Sequence, residues 1–151
     1  IILNRPMRSA LYPHRLSWHY FQLDAEKMHE AGQHLIGEHD FQAFRAAECQ
    51  ARTSIRDLRS LNVHRLGDMV ILDITANAFL HHMVRNIAGV LMVIGEGKEN
   101  PPWAREVLLS KDRTAAGVTA PASGLYLVHV DYPAIYEMPA FTGLPLMLDS
   151  I

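Results

Sequence analysis

Between Ala76 and Gly95 the apolar residues Leu80, Met83, Val84, Ile87, Leu91 and Ile94 recur at spacings of three and four, the repeat that puts one buried stripe on an α-helix. The spacing predicts a helix over 76–95, capped by Asn77 or starting later near His81. Arg85 and Asn86 interrupt the run beside the stripe. Gly89 follows Arg85 by one turn on the same side, which leaves room for another group to approach. In the N-terminal half of a helix the macrodipole gives a cation no help. Arg85 therefore either snorkels out of the core or meets an anion, and periodicity does not decide between them.

Elsewhere the pattern is shorter-ranged. Ile1–Leu3 reads as the tail of a strand, Asn4–Pro13 as a basic connector and Leu16–Tyr20 as a short strand or extended lead-in. Asp24 is a plausible N-cap for a helix with Met28, Ala31, Leu35 and Ile36 on its apolar face, ended by Gly37. Asp40–Phe44 reads as a second capped turn whose two phenylalanines are expected to pack in the core rather than stack on bases. From Ile55 to Thr75 the period becomes two, with Leu61 and Val63 alternating with Asn62 and His64, and Gly67-Asp68 supplying a turn. A short helix is expected from Pro101-Pro102-Trp103 to near Ser110, and a last strand over Gly124–Tyr132. Beyond Pro133 an irregular tail is expected, docked on the body or on a partner chain. With no βαβ rhythm, this succession predicts an α+β fold: an antiparallel β-sheet with helices packed on one face.

Composition sets outer limits. A chain of 151 residues, 49% of them apolar, is long enough for one domain with a real core and too short for a second full one. A net charge of −2 makes no global case for nucleic acid, but residues 1–66 hold nine Lys or Arg against seven acids, and residues 67–151 five against nine. Arginine outnumbers lysine eleven to three, which suits planar recognition of phosphate or carboxylate, although genomic base composition produces the same bias. The single cysteine, Cys49, excludes an internal disulfide framework and a thiolate zinc cluster, so a reducing compartment, the cytoplasm, is expected. The longest apolar run, 87–95, is too short to cross a bilayer and no leader pattern precedes it. Because Ile1 is not a methionine and begins inside an apparent strand, the chain is expected to be part of a longer polypeptide.

Three constellations carry candidate chemistry. Arg45, Arg52, Arg56, Arg59 and Arg65, partly offset by Glu48 and Asp57, suit a phosphate backbone or else protect a strand edge with charge. His81-His82 lacks metal-ligand spacing with other histidines or cysteines, and no metal site is expected there. The third constellation joins Arg85 to Gly124-Leu125-Tyr126-Leu127.

The strings Phe79-Leu80-His81-His82-Met83-Val84-Arg85-Asn86-Ile87-Ala88-Gly89 and Gly124-Leu125-Tyr126-Leu127, with Val130 and Tyr132, resemble paired C-terminal motifs of the tRNA pseudouridine synthase A family. Asp40-Phe41 with Phe44, Cys49, and Arg56 between Ile55 and Leu58 extend the resemblance from Ile1 to about Tyr132. The helix motif is specific, whereas Gly-Leu-Tyr-Leu alone is weak. The resemblance implies a cofactor-independent isomerase, a homodimer, that converts uridines of the tRNA anticodon stem-loop to pseudouridine, its covalent chemistry done by an aspartate on a flipped base. It implies that Arg85 pairs with that aspartate and that Leu125 walls the reacting base; Arg45, Arg52, Arg56, His81 and His82 are expected to contact the RNA.

The family's aspartate sits in an Arg-Thr-Asp-Gly type of motif in an N-terminal domain, and no such motif occurs here, nor does the pocket tyrosine that the family places just upstream of Ile1. None of Asp24, Asp40, Asp57, Asp68, Asp73, Asp112, Asp131 or Asp149 has the matching context. Residues 1–132 are thus expected to be the C-terminal half of a synthase, inactive alone, with 133–151 as its tail. Readings of another class remain: a non-catalytic RNA-binding module, or a dimerisation domain covered through Ile135, Phe141, Leu144, Leu146 and Leu148.

Overall fold

A computed structural model describes residues 1–11 and 14–138. Five strands form one sheet: β1 (Ile2–Asn4), β2 (Ser17–His19), β3 (Gly37–Asp40), β4 (Ile55–Leu66) and β5 (Met69–Ala76), in the order β2-β1-β5-β4-β3. The helices are α1 (Ala25–Gln33), α2 (Met83–Gly95) and α3 (Trp103–Ser110). The α+β expectation holds, with one correction: β1 and β2 pair in parallel, so the sheet is mixed. Their connection, residues 5–16, is long enough to return the chain in the same direction, which a tight hairpin cannot do.

The β4–β5 hairpin falls where the alternation placed it. Gly67 takes φ +56° in its turn, and the register runs from Leu66 opposite Met69 to Leu58 opposite Ala76. A register shift between Leu58 and Ser60 accommodates one extra residue, so Leu58 and Leu61, three apart, both face the core. Asp24 caps α1 as expected, accepting from the amides of Glu26 and Lys27 at 3.1 Å each, a contact worth about 1 kcal/mol. The helix stops at Gln33, earlier than Gly37, which instead opens β3 at φ +109°.

Met28, Ala31 and Leu35, the Phe41/Phe44 pair, the α2 stripe Met83, Ile87, Leu91 and Ile94, and Val107 and Leu108 of α3 close over Leu58, Leu61, Val63 and Val70 of the sheet in one core. Ile36 is left at the surface.

The segment 124–132 is not a strand. It runs without ladder partners among the described residues, and Tyr126, Val128, Val130 and Tyr132 are all exposed. Period-two alternation makes a strand possible, but backbone pairing makes it form. Of the tail expected at 133–151, residues 133–138 are exposed, with a short turn at Ala134–Tyr136. Phe141, Leu144, Leu146 and Leu148 lie outside the described residues. Among the described residues no helix is long and apolar enough to cross a membrane.

Candidate functional site

Of the two expected starts of α2, the later one near His81 is found and the Asn77 cap is not. Asn77 is spent on the sheet, its side-chain oxygen accepting from the Asp57 amide at 3.0 Å and its own amide donating to Asp57 O. The helix begins at Met83 after His82, which adopts the left-handed φ of +61° and gives no side-chain cap. For a non-glycine residue this backbone is uncommon, costs on the order of 1–3 kcal/mol and tends to occur at functional sites. The His81 and His82 rings stack with centroids 4.0 Å apart.

Beneath them the loop after Phe44 is tied in. Arg45 Nη2 donates to the carbonyls of Cys49 and Ala51, the Ala46 amide donates to His81 O, and the His81 amide donates to Cys49 Sγ at 3.4 Å. Amide donors from Ala51 and His81, with Arg45 beside them, hold the Cys49 thiol below its ordinary pKa. The His82 imidazole is pushed down by desolvation and then by the neighbouring charges of His81, Arg85 and Arg113, against an opposing pull from Glu48.

Arg85 lies in the first turn of α2. Its Nε donates to Ala120 O at 2.8 Å, and the Ala120 amide donates back to Arg85 O at 3.1 Å. Among the described residues Arg85 makes no ion pair, and Nη1 and Nη2 have no hydrogen-bond partner. Gly89 is where space was expected to matter: a Cβ there would lie 2.0 Å from Val118 O, so a bare helix surface admits the passing backbone. The same strap then crosses to the sheet. Gly124, at φ +79°, has no room for a Cβ, which would meet Ile1 O at 2.3 Å and the Ser17 amide at 2.7 Å. The Ile1 backbone nitrogen donates to Gly124 O at 2.8 Å and Ser17 Oγ to Ser123 O at 2.6 Å. Leu125 follows this anchor, half exposed, five residues after Ala120 and so no more than roughly 18 Å along the chain from it.

The arginine group is therefore divided. Arg65 turns inward, its Nη2 donating to Asn4 Oδ1 and Leu23 O at 2.7 Å each, and is structural. Arg56 folds back on Thr53 O and Ile55 O, and Arg59 pairs with Asp57 at 3.6 Å. Arg56 and Arg65 stand about 30 Å apart along β4, so the five arginines do not form one cluster. Arg52 is exposed. Arg113, Asn86 and Thr119, which join the strap to α2, were not singled out as site residues. Asn86 was visible only as a polar break in the stripe, and nothing local marks the other two.

Among the described residues no three His, Cys, Asp or Glu side chains converge to hold a metal. A small open cavity of about 190 Å³ is lined by Leu3, Arg8, Trp18, Pro121 and Ser123 among others, and not by Arg85. The chemistry that the α2 terminus offers is an arginine with an open edge, beside a neutral imidazole and a second arginine. That combination favours an anion.

Comparison with known proteins agrees with the motifs. The family model for tRNA pseudouridine synthase matches residues 31–133. The chain is 52% identical over 150 residues to tRNA pseudouridine synthase A of Aliivibrio fischeri (strain MJ11), covering 99% of this chain and 57% of that protein. It is 55% identical over 139 residues to the protein of that name from Nitrosococcus oceani (92% and 54% covered) and 56% identical over 132 residues to that from Methylococcus capsulatus (87% and 49%). The chain spans about half the length of the curated relatives it matches. With the arginine helix and the Gly-Leu-Tyr-Leu strap both inside the matched span, the chain belongs to the tRNA pseudouridine synthase A family.

Proposed function

We propose that this chain supplies the arginine-bearing half of an enzyme that isomerises uridine to pseudouridine in the anticodon stem-loop of tRNA, with the covalent aspartate contributed by the part of the polypeptide that its relatives have and this chain lacks. The reaction breaks the C1′–N1 glycosidic bond, forms C1′–C5, releases the C5 proton and returns a proton to N1, so it needs no redox partner. No cofactor enters it.

The observation that carries this reading is the state of Arg85: one nitrogen committed to Ala120 O, and two left open with no acid partner among the described residues. A carboxylate arriving at that edge completes a bidentate pair and is held ionised by it. Leu125, presented half exposed by the strap anchored at Gly124, supplies the apolar wall for the base. Arg45, Arg52, Arg56, His81 and His82 form the RNA-facing surface in this reading. Arg52 and the histidines are its available contacts, while Arg45 acts mainly through the loop that it braces. The working enzyme is a homodimer in the cytoplasm.

Tritium release from tRNA labelled at uridine C5 tests the assignment. This chain alone should show no turnover. In the full-length polypeptide Arg85→Lys should lose one to two orders of magnitude in kcat/KM, and Arg85→Met several. Turnover by the chain alone would refute the split of the site, and normal turnover by Arg85→Met would reduce Arg85 to scaffolding.

A further inference from the structure

We propose that Thr119 and Arg113, acting through buried Asn86, are positioning residues that set the orientation of the Arg85 guanidinium. Three successive strap residues each meet α2 at a different point. Val118 O lies against bare Gly89, Thr119 bonds Asn86, and Ala120 exchanges two hydrogen bonds with Arg85.

The middle contact is the built one. Asn86 is 1% exposed. Its Nδ2 donates to Phe44 O at 2.7 Å, which fixes the amide, and its Oδ1 accepts from Thr119 Oγ1 at 2.7 Å and from Arg113 Nη2 at 3.0 Å. Arg113 Nη2 also donates to Thr119 Oγ1 at 2.6 Å, and Nη1 donates to Gly117 O at 2.9 Å. The hydroxyl of Thr119 thus accepts from a cation while donating to a buried amide oxygen, a closed triangle in which each member fixes the next.

The consequence lies one residue further on. With Thr119 pinned, Ala120 O has one position, and Arg85 Nε is drawn to it. The edge that remains is Nη1/Nη2, so an incoming carboxylate is met end-on rather than along the Nε side. Misplacement by about 1 Å at such a contact is enough to cost roughly a hundredfold in rate. Arg113 also adds positive charge beside His82 and Arg85 without spending it on an acid among the described residues.

This inference rests on the catalytic reading of Arg85, and its test separates the two. In the full-length polypeptide Thr119→Val keeps the shape and removes the hydroxyl, while Thr119→Ser restores it. The expected result is a kcat about tenfold or more lower for Thr119→Val, KM for tRNA changed less than about twofold, recovery in Thr119→Ser, and no added loss when Thr119→Val is combined with Arg85→Met. In parallel, the ¹⁵N–¹H signal of Arg85 Nε should exchange with water faster in Thr119→Val and as in wild type in Thr119→Ser. An unchanged Nε signal, or a loss of kcat that adds to that of Arg85→Met, overturns the positioning role and leaves Thr119 a stability residue. If Arg85→Met itself turns over normally, the catalytic reading falls, and the Nε signal alone still decides whether Thr119 orients Arg85.

Discussion

Arg85 and His19 illustrate two ways in which this fold handles a titratable or charged side chain. Arg85 carries five N–H donors and, among the described residues, uses only the one at Nε, so its position is fixed while its charge stays available. His19 is enclosed instead. Its Nε2 lies 3.2 Å from Glu96 Oε1 but off the hydrogen-bond axis, with Lys98 on the far side of Glu96 at 2.6 Å and Phe21 near the ring. Burial dominates and lowers the His19 pKa from 6.5. Lys98 adds to the lowering, and the pull of Glu96 does not overcome it. A histidine lowered in the folded state is penalised on protonation, so its contribution is complete above the unfolded value of 6.5 and declines as pH falls through that value toward the folded one. His82 shifts the same way, so the comparison must isolate His19. Thermal unfolding of wild type and His19→Gln over a pH series should show the wild type losing Tm relative to the variant below pH 6.5. A difference independent of pH would remove His19 from the account.

At the scale of elements, the contact between α2 and the strap is made by an absence of side chain. Glycine inside a helix usually costs about 1 kcal/mol relative to alanine, so an unconstrained Gly→Ala change stabilises. At Gly89 the new Cβ would meet a backbone carbonyl, Val118 O, at 2.0 Å. No flexible side chain can yield there, and the strap must lift. Gly89→Ala is therefore expected to destabilise by about 1–3 kcal/mol, net of propensity, and to lower kcat with it by moving Ala120 away from Arg85. Chemical denaturation measures the first and single-turnover kinetics the second. A stabilised variant with normal turnover would show that the close approach is not needed. The start of α2 follows the same logic. With Asn77 used on the hairpin, the helix waits until His82, whose ring lies against that of His81 just before the first turn.

For the molecule as a whole, a net charge of −2 gives no overall pull toward RNA, so affinity has to come from where the arginines lie. The chain by itself should bind tRNA weakly and with steep salt dependence, as backbone contacts do. Arg52→Glu should weaken binding without unfolding the protein. Arg65→Glu should instead lower Tm, because Arg65 holds Asn4 and Leu23. Fluorescence anisotropy at several salt concentrations decides it, and tight, salt-insensitive binding unaffected by Arg52→Glu would favour a self-contained RNA module. Much of this architecture was already legible in the chain. The stripe from Met83 to Ile94, the Asp24 cap, the Phe41/Phe44 pair and the β4–β5 hairpin are all written in residue spacing, because burial on one face of a helix or strand repeats with the backbone's own period. The helix motif and the Gly-Leu-Tyr-Leu string carried the family in the same way. What spacing could not decide was which polar groups find each other. Arg65 went to Asn4, Arg113 and Thr119 to Asn86, and Arg85 to Ala120, across separations of 61, 27, 33 and 35 residues respectively. Despite its alternation, 124–132 joined no strand ladder among the described residues. Apolar burial is non-directional and is signalled locally by pattern, whereas a hydrogen bond depends on a particular acceptor at a particular distance and angle. Only the assembled chain brings those acceptors within reach.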